Sequence, residues 1–336
     1  MKKEKLHPVP WLSKKTTLVS LLTVVLFLSF FKTLLFAQYP LTIGRAPASE
    51  KLQLQPGDRH EGEIVIWNLS EKSTKYHVVI RGFRQVQNQP GTAIMLTESE
   101  EERTLYSASS WVTVSREEID LVPNKNEKIF YSIDVPLGAT KGEYYVIIAF
   151  LSETEYENIG TAAFTVLGSG TPILIKIGDE FVERAELISF ETDRNFYEFP
   201  NIKFETKLNN IGDTHITPMG DILLTNIFNQ QVGTITFNAA RQSILRENTG
   251  IYETDWDYGS FLTTDRKLIL GPIKADLMLT YRASQPGFAP LTAETSFWVL
   301  PWKYILIAIL VITVIIIIWV NRRKRKKEER KEYLPK

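Results

Sequence analysis

The chain is 336 residues long, room for about two globular domains, and its 39 basic and 39 acidic residues cancel. The balance is uneven: residues 1–15 carry five Lys against one Glu, the tail from Asn321 carries nine basic residues against three Glu, and 38–300 holds 23 basic against 35 acidic, a net of −12. The absence of cysteine excludes disulfides, thiolate zinc sites and a cysteine nucleophile, and the acidic middle argues against nucleic acid as a partner.

The N-terminal segment 1–37 joins a basic stretch, MKKEK with Lys14 and Lys15, to the apolar run LVSLLTVVLFLSFF, then to TLLFA ending at Ala37. That order describes a secretory signal cleaved after Ala37. Leu35 is a poor residue three positions before the cut, and the apolar stretch is long, so an uncleaved signal anchor is the rival reading.

Between the ends the apolar pattern has period two. KIFYSIDV (128–135) sets Ile129, Tyr131, Ile133 and Val135 against Phe130, Ser132 and Asp134. IKFETKL (202–208) and ADLMLTY (275–281) repeat the alternation, and EYYVIIAF (143–150) is apolar throughout, as a strand in the middle of a sandwich can be. Such runs, punctuated by Pro and Gly, predict an all-β ectodomain of two tandem immunoglobulin-like β-sandwiches. The flexible LGSGT (167–171) places the boundary between a first domain at 40–168 and a second at 172–300. The excursion from Arg84 to Ser110, with ESEEER at 98–103, is too polar for core and reads as a long inter-strand loop.

At the C-terminal end, YILIAILVITVIIIIWV (304–320) is uncharged and spans roughly 25 Å as a helix, with Trp302 just before it and Trp319 near its end, where interfacial aromatics belong. No amphipathic face can be drawn on it, so a transmembrane helix at 302–320 is expected. The basic tail 321–336 is cytoplasmic by the positive-inside rule, and the ectodomain lies outside. The localisation is therefore cell membrane, single-pass, or two-pass if the N-terminal segment stays uncleaved. A cysteine-free ectodomain of this size suits a bacterial surface protein better than a disulfide-stapled animal one.

Two blocks carry a resemblance. LQPGDRHEGEIVIWN, followed by SSWVTVSREEIDLVPNKNEKIFYSIDVPLGATKGEYYVIIAF, resembles the peptidoglycan-binding domain of the WxL-interacting-protein family. The matching positions are Pro56, Gly57, Asn68, Trp111, Pro123, Val135, Pro136, Ala139, Gly142, Tyr144 and Tyr145. The second domain resembles that family's membrane-proximal β domain, and together they cover most of the ectodomain. The resemblance implies attachment to peptidoglycan through the first domain, with the second facing another surface protein or other ligand. The bilayer enters as a partner through the C-terminal helix.

Candidate chemistry is sparse. NNIGDTHITPMG (209–220) offers Asp213-x-His215 with Asp221 beyond, but one Asp-x-His lacks the converging ligands a metal needs, and the segment reads as a turn between strands. Asp255-x-Asp257-x-Gly259 resembles part of a calcium loop without its closing Glu. GATKG (138–142) lacks the ending of a phosphate loop, and His7, His60, His77 and His215 are isolated in sequence. Trp111 reads as core or, alternatively, as a sugar-stacking platform. No catalytic, cofactor or metal residue is assigned, and no cofactor is expected. The expectation is a non-enzymatic, membrane-anchored surface binding protein. Its rivals are a structural component of an envelope assembly without glycan affinity and, last, a wall-active hydrolase.

Overall fold

The computed structural model describes residues 43–157, 170–281 and 290–332. The signal segment 1–37 lies outside the described residues. Alternating residues build a first sandwich from two sheets. In one, β3 (Arg59–Asn68) pairs with β1 (Ile43–Ala46) and β9 (Asn126–Asp134), and β7 (Val112–Val114) closes the far edge. The other runs in the order β2 (Glu50–Leu54), β11 (Gly170–Ile177), β10 (Gly142–Ser152), β4 (Thr74–Arg81) and β8 (Glu118–Leu121). Ile64, Ile66, Ile129 and Ile133 from the first sheet meet Val146, Ile148, Phe150 and Ile173 from the second, all buried in one cluster. Alternation with period two puts these side chains on one face of each strand.

The second sandwich faces the three strands β12 (Ala185–Thr192), β14 (Asn201–Asn210) and β17 (Thr249–Asp257) against five. Those five are β13 (Phe196–Tyr197), β19 (Leu291–Val299), β18 (Gly271–Thr280), β15 (Met219–Asn226) and β16 (Gln231–Phe237). Phe204, Leu208, Ile222, Leu224, Phe237 and Phe297 fill its core. Trp256 is an inward residue of β17. The chain is thus all-β with immunoglobulin-like sandwiches, followed by one helix, Trp302–Glu332. Its Trp302–Lys324 portion is long and apolar enough to cross a membrane and packs against almost nothing.

Two expectations from the sequence are corrected. The boundary is not at 167–171: Gly170–Ile177 is β11, antiparallel to β10 and parallel to β2, so it completes the first sandwich. TPILIKI is apolar enough to lie between two neighbours, and the chain turns away only after Gly178, whose φ is +105°. The excursion 84–110 is not a polar loop. It begins within β5 (Phe83–Gln85), which is hydrogen-bonded to β6 (Ala93–Met95), and it buries Met95 and Leu96. Its charges are turned outward: Arg81 meets Glu98 and Arg84 meets Glu100. This hairpin explains why β10 is buried on both faces. Tyr145, Ile147, Ala149 and Leu151 point away from the sandwich core into a separate cluster with Phe83, Met95 and Leu245, the last from the second sandwich.

Candidate interaction sites at the domain seam and on the first sandwich

The segment NNIGDTHITPMG is a turn between β14 and β15, stitched from within. The Asn210 side-chain amide donates to the carbonyls of Thr214 and Ile244, and its Oδ1 accepts the Gly212 N–H. Asp213 caps the neighbouring chain by accepting the Val182 N–H at 2.7 Å. These are the side-chain-to-backbone bonds that let Asn and Asp hold turns. Asp213 and His215 therefore point to different partners, and among the described residues no group of three or more His, Cys, Asp and Glu side chains is placed to hold a metal.

His215 has a further contact that its sequence neighbours do not suggest. It meets Glu143, at the start of β10 in the first sandwich. The Glu143 side chain is 0% exposed; it accepts from His215 Nδ1 at 2.6 Å, from the His215 backbone N–H at 2.7 Å and from the Tyr145 hydroxyl at 2.9 Å. On the far side of the ring, Lys51 Nζ lies 3.1 Å from Nε2. Burial pushes the Glu143 carboxyl up, but the His215 hydrogen bond and charge, its backbone N–H and the charge of Lys176 outweigh that and hold it below the usual range. The Tyr145 phenol moves the other way, raised by burial and by the adjacent carboxylate.

Other bonds close the same seam. Gln85 donates to the Thr249 carbonyl and accepts from the Leu245 N–H, Gly91 N–H bonds the Ser243 carbonyl, and Ile251 N–H bonds that of Asn88. The Arg246 guanidinium lies 3.7 Å from the Tyr106 ring centroid. Gly142, at φ +134°, leaves the space that the Arg246 guanidinium fills; a Cβ there would come within 2.3 Å of it. Beside the seam is a cavity of about 520 Å³ whose lining includes Lys51, Phe83, Leu174, His215, Arg241 and Leu245. The arrangement joins domains rather than activating a nucleophile. Both ring nitrogens of His215 are engaged, and the group on Nε2 is a lysine, not a hydroxyl.

Most positions of the family resemblance serve architecture. Trp111 is buried with its ring 4.5 Å from that of Tyr144, which answers the choice between core and sugar platform in favour of core. Asn68 is buried and donates to the carbonyls of Lys72 and Leu121. Tyr145 reaches the seam. Among the described residues the other histidines stand apart: His60 lies 3.6 Å from Glu50, and His77 binds Glu153 at 2.9 Å beneath the Tyr156 ring.

A second candidate lies on the outer face of the four-stranded sheet. Cross-strand pairing sets Thr113, Ser132 and Glu61 in one row and places Phe130 opposite Glu63. Here a depression of about 350 Å³ is lined by Arg59, Glu61, Thr113, Ser115, Phe130 and Ser132. Thr113 and Ser132 share a 2.8 Å hydrogen bond, Arg59 is held by Asp134 at 3.1 Å, and the Phe130 ring is 55% exposed. Hydroxyls, a fixed guanidinium and an open aromatic face are complementary to a sugar, which offers hydroxyls and an apolar ring face. No motif around Phe130 marks it as a ligand group. Its outward phase in KIFYSIDV was the available signal.

No family model matches the chain, and no curated protein matches it. Among solved structures it is similar to the class 5 fimbriae chaperone CfaA, at 11% identity over 77% of this chain and 100% of that one, with a TM-score of 0.36. It is also similar to the Salmonella enterica SafA pilin in complex with the SafB chaperone (6%, 75% and 96%, 0.36). A third similarity is to the Pseudomonas aeruginosa CupB2 chaperone (9%, 76% and 100%, 0.32).

Proposed function

We propose that the chain is a membrane-anchored bacterial cell-surface binding protein of the WxL-interacting type, not an enzyme. Its first sandwich attaches to peptidoglycan, and its second faces another surface protein. The observation that carries the reading is the open depression around Phe130, on a sandwich carried by a chain that ends in an apolar helix of membrane-spanning length. The resemblance of the first domain's motifs to a peptidoglycan-binding family supports the same ligand class. The helix is the bilayer anchor, and the basic tail 321–336 is its cytoplasmic end.

The test is co-sedimentation of the 38–300 ectodomain with isolated peptidoglycan. Phe130→Ala removes the ring and is expected to weaken retention about two- to tenfold, the share an aromatic contact supplies. Retention that is absent in the parent ectodomain sinks the peptidoglycan reading and favours an assembly role without glycan affinity. Retention unaffected by Phe130→Ala moves the glycan site off this face.

A further inference from the structure

The end of the second sandwich from which the helix leaves is unlike the rest of the surface. β19 ends at Val299, and the helix starts at Trp302 after only Leu300 and Pro301. The junction is fastened: Leu300 N–H bonds the Tyr197 carbonyl at 2.7 Å, and Lys303 Nζ bonds Glu198 at 2.7 Å. The helix therefore leaves a fixed point and not a slack tether. Around that point lie exposed apolar side chains. Phe196 is 66% exposed and stacks on Trp298, itself 45% exposed, with centroids 6.2 Å apart. Phe199 stacks on Phe261 at 5.4 Å and meets the Tyr304 ring of the helix edge-on at 6.1 Å. Leu262, next to Phe261, is exposed as well.

We propose that this end of the second sandwich sits in the interfacial layer of the bilayer, with Phe196, Phe199, Phe261, Leu262 and Trp298 among the lipid headgroups. The inference rests on the reading of Trp302–Lys324 as a membrane span. The occupant follows from continuity with that span. Trp302 and Trp319 are 17 residues apart, about 25 Å along a helix, so they mark the two edges of a hydrocarbon core of about 30 Å. Tyr304 is then at the outer edge, and rings touching Tyr304 share its depth. Aromatic side chains are the residues that favour this layer, since an apolar body and a hydrated boundary are both available there. An exposed apolar patch of this kind would be a liability facing water and is satisfied by the membrane beside it. The consequence is a sandwich pair held at a set inclination to the membrane.

The native chain has no cysteine, so single-cysteine variants carry one nitroxide label each. The full chain is reconstituted in vesicles of phosphatidylcholine and phosphatidylglycerol and labelled at Phe196→Cys, Leu262→Cys, Ile312→Cys or Leu137→Cys. Collisional accessibility to oxygen and to a water-soluble nickel chelate is then compared. Labels at 196 and 262 are expected to show an oxygen-to-nickel ratio several-fold above that at 137, with 312 higher still. Ratios at 196 and 262 equal to that at 137, with 312 in lipid, overturn the inference and leave the anchor standing. An aqueous label at 312 overturns both. Labels at 196 and 262 shielded from both reagents report a protein contact, which also overturns it.

Discussion

Glu143 shows what one buried carboxylate does when its partner lies in another domain. Its charge sits where water does not reach and is held by three donors, two of them from His215. A folded value below the ordinary carboxyl range means that the folded state binds the proton less readily than the unfolded chain. The contribution to stability is therefore fully present above the unfolded value of about 4.3 and is lost as pH falls through the lower folded one. Urea midpoints of the ectodomain should be level with respect to this group from pH 7 to 5 and drop below pH 4. Glu143→Gln should remove part of that drop, because an amide has no proton to take up in this range; an unchanged drop would locate the acid sensitivity elsewhere. The turn that presents His215 was legible in Asn209–Gly220, since Asn, Gly and Asp act on their own neighbours. Its partner was not, because 72 residues separate the pair and nothing local in GEYYV announces a buried interdomain charge.

At the scale of the element, β10 repeats the lesson. Its continuous apolar run announced a strand with no solvent face, and the structure supplies the two covers: the sandwich core on one side and the hairpin β5–β6 with Leu245 on the other. The hairpin was hidden by its own composition. NQPG and ESEEER dominate the average, while the few residues that face inward, Phe83, Met95 and Leu96, are too widely spaced to set a period. The boundary shifted for a related reason: LGSGT is small and flexible in sequence, yet its last two residues begin β11. Leu245 reaches this cover from the second sandwich and is buried there. Leu245→Ala should cost about 2–4 kcal/mol, the transfer and cavity terms of a buried leucine. Chemical denaturation of the ectodomain would measure it. A loss under 0.5 kcal/mol would mean that the contact contributes no more than an exposed one.

At the scale of the whole molecule, charge is divided along the chain. Residues 38–300, with a net of −12, are bracketed by a basic N-terminal stretch and a basic tail, and under the proposed topology the positive-inside rule puts both basic ends on the cytoplasmic side. The cleaved-signal and signal-anchor readings thus agree on where the sandwiches lie. They differ only in whether one or two spans hold them. The helix makes the orientation testable, because its apolar part carries no charge from Tyr304 to Val320 and the basic cluster begins within two residues of its end. Moving that cluster through the hydrocarbon is opposed by about 2.5–3.5 kcal/mol for each basic residue at the bilayer centre. Leu137→Cys, exposed on the first sandwich, should react in intact cells with a membrane-impermeant maleimide. Leu334→Cys, in the tail, should react only after the membrane is opened. Equal labelling of both in intact cells would defeat the anchor reading. Labelling of the tail alone would invert the topology and put the Phe130 face out of reach of the wall.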